Sequence, residues 1–204
     1  NLVEDVEWSA MDATRTPIDY LCQCVEAAIK AGATTINLPD TVGYATPSEY
    51  ADMFRAVRSR VPDADKVVFS THCHNDLGLA VANSLAALDA GARQIECAVN
   101  GIGERAGNAA LEEVVMAIRT RRDRLPYDTR IDTTKLSHVS RLVPAVPNFP
   151  VHYNQAIVDR HPLPHARCLP PARLLTHPPH YELMSPDAAR VGQPSTAVRR
   201  RPRL

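Results

Sequence analysis

Between residues 3 and 119 the sequence passes four times from a short β-type run to an amphipathic helical run, and that beat limits the fold more than any other feature. Residues 3–9 (VEDVEWS) predict a strand. Thr16-Pro17 then opens a helix to about residue 31, with Thr16 as N-cap, Pro17 at the first position and Gly32 as the stop. Residues 34–38 (TTINL) predict a second strand, and Thr46-Pro47-Ser48-Glu49 starts a second helix carrying Tyr50, Met53, Phe54 and Val57 at helical spacing. Residues 66–71 (KVVFST) predict a third strand, followed by a helix over 76–90 that Gly91 ends. Residues 93–99 (RQIECAV) predict a fourth, followed by a helix over 108–119 with Leu111, Val114, Val115 and Ile118 on one face. Four such units, with strands apolar on both faces, imply a parallel sheet covered by helices.

Parallel α/β chains close either as an open doubly wound sheet or as an eight-stranded barrel. No glycine-rich phosphate loop follows the first strand, which weakens the dinucleotide-binding form. Polar, reactive residue types instead gather at the C-terminal end of each strand: Glu7 and Ser9, Asp40 and Thr41, His72 and His74, Asn100. In barrel enzymes that end carries the active site. Four strands make half a barrel, so the chain is expected to be one half or to pair with another.

Composition closes other routes. The 23 Lys and Arg balance 23 Asp and Glu, so no net field draws nucleic acid or an anionic membrane surface. No apolar run approaches the ~18 residues of a membrane span. Five scattered cysteines without a paired framework, and an opening Asn-Leu-Val-Glu-Asp without a leader pattern, lead us to expect a reduced, cytoplasmic setting. Twelve of the 17 prolines follow residue 143, in a stretch ending Arg-Arg-Arg-Pro-Arg-Leu. We therefore expect a patterned domain over 1–142 and a Pro/Arg-rich, poorly ordered tail over 143–204.

Three segments carry candidate chemistry. In Ser70-Thr71-His72-Cys73-His74-Asn75-Asp76, alternation points His72 and His74 to one side, where two neutral imidazoles can hold a divalent cation or simply stand as polar strand-end residues. Asn75-Asp76 reads most simply as a helix N-cap. Asn100-Gly101-Ile102-Gly103-Glu104-Arg105-Ala106-Gly107-Asn108 offers three glycines for close ligand approach and a Glu104–Arg105 brace; it equally fits a plain βα loop capped by Asn108. In Pro39-Asp40-Thr41-Val42-Gly43-Tyr44 the Thr hydroxyl and backbone amides suit a carboxylate or carbonyl oxygen, while an Asx turn explains the Asp.

Taken together, VEWSAMDATRT, INLPDTVGY and STHCHNDLGLAVANSLAALDAGARQIECAVNGIGERAGNAALEEVV closely resemble the 2-isopropylmalate synthase family, within the group that includes homocitrate and citramalate synthases. The resemblance runs from about residue 3 to residue 159. It implies a partial TIM barrel made of the fifth to eighth βα units. It further implies a divalent metal (Mg, Mn or Zn) held by His72, His74 and Asn108, and a 2-oxo acid site in which Thr41 binds the carboxylate and Asn37 and Glu7 line the pocket. The implied activity is an acyl transfer of leucine biosynthesis, in which acetyl-CoA condenses with 2-oxoisovalerate, by an enzyme that is a homo-oligomer when complete.

Departures from the family pattern matter as much. The Arg-Asp pair of the family's first strand has no counterpart here, and Met11 stands where relatives often carry glutamate. Where the family has its H-E-S-G-I-H-Q-D-G acid/base motif, this sequence reads His165-Ala166-Arg167-Cys168-Leu169-Pro170-Pro171-Ala172-Arg173. Tyr181 can match a catalytic tyrosine, whereas His161, His165, His177 and His180, scattered among prolines, read as solvated. No catalytic acid or base is assigned, and little turnover is expected of this chain alone. A non-catalytic half-barrel partner of a synthase, or a homocitrate or citramalate synthase relative, are the alternatives.

Overall fold

The structure, a computed structural model, describes residues 3–143 and 155–158. The chain divides into two compact units, residues 1–114 and 115–204. The first unit contains four strands, β1 (Glu7–Ser9), β2 (Thr35–Asn37), β3 (Val68–His72) and β4 (Gln94–Glu96). They alternate with helices α1 (Ile18–Lys30), α2 (Pro47–Arg60), α3 (Ala80–Asp89) and the start of α4 (Leu111–Thr120). All pairings are parallel and the spatial order is β1-β2-β3-β4. A doubly wound sheet reverses its order at a switch point; this one does not, so it winds in a single direction as barrel strands do.

The register sorts the residues onto two faces. Trp8, Ile36 and Phe69 align on one face, and Ser9, Asn37, Ser70 and Gln94 on the other. Helices cover the first. Phe54 of α2 lies wholly buried, its ring edge-on to Tyr50 at 5.2 Å and to Phe69 at 6.4 Å between centroids. The Tyr50 hydroxyl donates to the Leu38 carbonyl at 2.5 Å and meets Thr71 Oγ1 at 2.8 Å, satisfying the polar end of a fully buried side chain. The second face is polar and concave. Gln94 Nε2 on the fourth strand donates to Glu7 Oε2 on the first at 2.7 Å, across backbones that a flat sheet with ~4.8 Å strand spacing would hold roughly 14 Å apart.

The predicted second, third and fourth strands are trimmed or shifted by a few residues, to Thr35–Asn37, Val68–His72 and Gln94–Glu96, and four further boundaries differ for a local reason. The first strand is shorter because Val3 and Val6 lie exposed rather than on the core face. Thr16 is not the N-cap of α1. A 3₁₀ turn at Ala13–Arg15 precedes it, its hydroxyl donates back to the Asp12 carbonyl at 2.9 Å, and Pro17 takes the cap position. The third helix starts at Ala80, whose N–H is received from upstream by Asn75 Oδ1 at 3.2 Å. The fourth starts at Leu111, because Asn108 belongs to the loop: its N–H goes to the Gly101 carbonyl and its Nδ2 to that of Ile102. Helix α2 matches expectation, with Thr46 and Glu49 forming a capping box.

In the second unit the described residues comprise the rest of α4, a 3₁₀ turn at Thr133–Lys135 and α5 (Leu136–Leu142). Asp132 caps that turn, accepting from the Thr134 N–H at 3.0 Å and its hydroxyl at 2.6 Å. The expected tail, with Tyr181, the altered 165–173 stretch and the late histidines, lies outside the described residues.

Candidate metal and oxo-acid site

The C-terminal ends of the strands bring the expected histidines together. His72 Nε2 and His74 Nε2 stand 3.2 Å apart, with the two rings nearly perpendicular. Partners fix the tautomers. His72 Nδ1 lies 2.8 Å from Glu96 Oε2, an acceptor, which places the hydrogen on that nitrogen. His74 Nδ1 lies 2.5 Å from the Thr41 carbonyl, an acceptor, and 2.9 Å from Arg105 Nη2, a donor only; the shorter contact assigns the hydrogen to Nδ1 here too. Each Nε2 is then left with a lone pair. Two imidazole nitrogens about 2.1 Å from one metal lie about 3.0 Å apart at a right angle and about 3.4 Å apart at the tetrahedral angle. The observed separation falls between these, so the pair fits a shared divalent cation.

Burial and the neighbouring His74 both hold the His72 pKa below its ordinary imidazole value, keeping the ring neutral and ligand-competent near pH 7. The sign of the linked stability follows. Because the unfolded chain takes up this proton more readily, the stabilisation is present above the usual value near 6.5 and is lost as pH falls through it towards the lower folded value. Urea midpoints at pH 7.5 and pH 5.5 are expected to differ less in His72→Gln than in the parent chain.

A donor of another kind sits beside them. Asn108 pairs with His74 through an antiparallel bridge, and its Oδ1 is buried without a hydrogen-bond partner. Buried polar atoms are rarely left so unless water, an ion or a ligand completes them. Asn37 Oδ1 and Ser70 Oγ, on the concave face, are in the same state. Asn37, 2% exposed, spans that face by donating from Nδ2 to Ser9 Oγ at 3.1 Å and to Glu96 Oε1 at 2.9 Å. Glu7 lies on the same face, its carboxyl raised in pKa chiefly by its hydrogen bond with Glu96, then by partial burial. The Thr41 hydroxyl accepts the Asp12 N–H at 2.9 Å and keeps its own hydrogen to donate.

The six expected site residues therefore lie at one end, or along one face, of the same sheet. Sequence reasoning missed Glu96, although Gln94-Ile95-Glu96 alternates with both polar residues on the face that bears His72. It read Arg105 only as a partner of Glu104; the structure ties Arg105 mainly to Asp76, at 2.8 Å, and to Glu104 only at 3.5 Å. No cysteine with a resolved shift offers a thiolate at neutral pH: burial pushes Cys22 and Cys73 upward and Cys97 up to about 11.

A singly wound parallel sheet with polar residues gathered at its C-terminal edge is the arrangement of barrel-type α/β proteins, and the HMGL-like family profile matches residues 1–143. The chain belongs to that family, which is built on TIM barrels. Over 198 residues, 97% of this chain, it is 68% identical to the 2-isopropylmalate synthase of Methylorubrum populi, and 65% identical to that of Methylobacterium nodulans. It spans 38% of the length of each of these relatives. Among solved structures, a Bacillus subtilis HMG-CoA lyase shares the fold at a TM-score of 0.60 and 23% identity, over 72% of this chain and 51% of that one. An HMG-CoA lyase from Acinetobacter baumannii, determined with coenzyme A and 3-methylmalate, aligns at 0.53 and 28% identity, over 72% and 44% of the two chains. Among the described residues no helix is long and apolar enough to cross a membrane.

Proposed function

We propose that this chain is the metal-bearing half, the fifth to eighth βα units, of the catalytic barrel of a 2-isopropylmalate synthase, with residues 1–142 forming the barrel portion and 143–204 the segment that follows it. The paired His72 and His74 Nε2 atoms, 3.2 Å apart, with each Nδ1 held by an oxygen acceptor, carry this reading. A bound divalent metal would supply Lewis-acid polarisation of a 2-oxo acid carbonyl, readying it for attack by the acetyl-CoA enolate. The chain's own residues have simpler tasks. His72 and His74, each with its Nδ1–H fixed, present Nε2 to the metal, and the buried Asn108 Oδ1 is the available further ligand. The Thr41 hydroxyl donates to the substrate carboxylate. Asn37 and Glu7 shape the concave face, with Asn37 held by Ser9 and Glu96.

Among the described residues no group of three His, Cys, Asp or Glu side chains stands where it could hold a metal ion, and the ligand set proposed within this chain is His72, His74 and Asn108. Condensation of acetyl-CoA with 2-oxoisovalerate, and homo-oligomeric assembly, are properties we assign to the whole enzyme. Thermal unfolding followed by circular dichroism, with and without millimolar Mg²⁺, Mn²⁺ or Zn²⁺, tests the reading on this chain. A cation at about 100 times its dissociation constant adds about 2.7 kcal/mol of stability. The expected result is a metal-dependent rise in the midpoint that His72→Ala abolishes; equal melts with and without metal would refute the site.

A further inference from the structure

Arg105 reaches loops from three consecutive βα units at once. It sits in the loop after β4, in the left-handed region at φ +54, a conformation that costs an L residue energy and persists where surrounding contacts enforce it. Its Nε donates to Asp76 Oδ1 at 2.8 Å and its Nη2 to Asp76 Oδ2 at 3.0 Å, a two-point grip on the loop after β3. The same Nη2 donates to the Thr41 carbonyl at 2.8 Å, in the loop after β2. That carbonyl is the one that receives His74 Nδ1–H, so both its lone pairs are engaged, one by the histidine and one by the arginine.

The loops are pressed together as well as bonded. Gly43, at φ +65, leaves no room for a Cβ, which would stand 2.5 Å from Asp76 Oδ2 and 2.9 Å from the His74 carbonyl oxygen. An ordinary surface ion pair needs neither that contact nor a left-handed arginine. We infer that Arg105 is a positioning residue: docked on Asp76, it pins the Thr41 carbonyl, and the pinned carbonyl orients the His74 ring so that Nε2 faces His72. The effect passes from guanidinium to imidazole through the carbonyl and by direct contact, Nη2 lying 2.9 Å from His74 Nδ1, without Arg105 contacting substrate.

The inference rests on the metal reading for one of its two readouts only. The first readout is metal-free: imidazole ¹⁵N shifts and Hδ1 exchange of His74, in the full chain. The parent protein is expected to show a neutral Nδ1–H tautomer with a slowly exchanging hydrogen, Arg105→Gln to lose the slow exchange, and Arg105→Lys to retain part of it. The second is Mn²⁺ affinity by electron paramagnetic resonance. Arg105→Gln and Asp76→Asn are each expected to weaken it about 10–100-fold, the range for removing a partner of a metal-bound histidine, and the double variant no further than the worse single one. Unchanged His74 signals together with unchanged Mn²⁺ affinity in Arg105→Gln would overturn the assignment. If the parent chain binds no Mn²⁺, the metal reading fails and the imidazole readout alone decides the positioning role. If Arg105→Gln does not fold, Arg105→Lys and Asp76→Asn carry the same two readouts.

Discussion

Gly107→Ala is expected to unfold the loop that carries Asn108, at a cost of about 3 kcal/mol or more in denaturant melts. Two separate penalties add. Gly107 has φ +95, where an L residue loses about 1–2 kcal/mol. The new Cβ would also stand 2.0 Å from the Gly101 carbonyl oxygen, a backbone atom that cannot swing aside, and overpacking of this kind costs about 1–3 kcal/mol or more. That oxygen is not idle. It accepts the Asn108 N–H at 2.8 Å, while the Gly107 carbonyl accepts the Asn75 N–H at 2.9 Å, so displacing either disturbs both motif loops. Gly32→Ala supplies the control, since Gly32 has φ +103 but nothing within 4 Å of the added carbon. It should lose only the dihedral part, about 1–2 kcal/mol. Equal losses at the two positions would show that the close contact with Gly101 contributes nothing.

Phe54→Ala should be the most costly truncation on the helical side of the sheet, at about 3–5 kcal/mol. The ring is completely buried and sits edge-on between Tyr50 and Phe69, so it joins α2 to β3. Little nearby can refill the space, because Tyr50 is itself tethered through its hydroxyl to Leu38 and Thr71. Phe54→Leu keeps most of the volume and is expected to recover more than half of the loss. Urea midpoints at constant slope measure both; a Phe54→Ala variant within 1 kcal/mol of the parent would contradict the packing described.

What the sequence revealed, and what it withheld, follows from how far apart the interacting residues lie. Local signals transferred well. The Thr46–Glu49 box needs only a three-residue spacing, and the same-side placement of His72 and His74 needs only two. Strand ends transferred poorly, because Val3 and Val6 are apolar by composition yet exposed by position. Partners across the sheet could not be read at all. Glu96 meets Asn37 across 59 positions and Arg105 meets Thr41 across 64, and no local pattern encodes such a meeting. The left-handed Arg105 is least legible, since arginine carries none of the conformational signal that glycine would.

Spatial order equal to chain order also has a consequence for how this molecule is made. Each strand pairs with the one synthesised just before it, with partners 28 positions apart (Glu7, Thr35), then 33 (Thr35, Val68), then 24 (Ser70, Gln94). Every loop to be closed is short, and the closure penalty grows only with the logarithm of length. The sheet can therefore lengthen strand by strand as the nascent chain leaves the ribosome, each addition finding its template already in place. Among the described strands, the outer edges of β1 and β4 have no neighbour beyond them, so each is a surface on which a further parallel strand could pair.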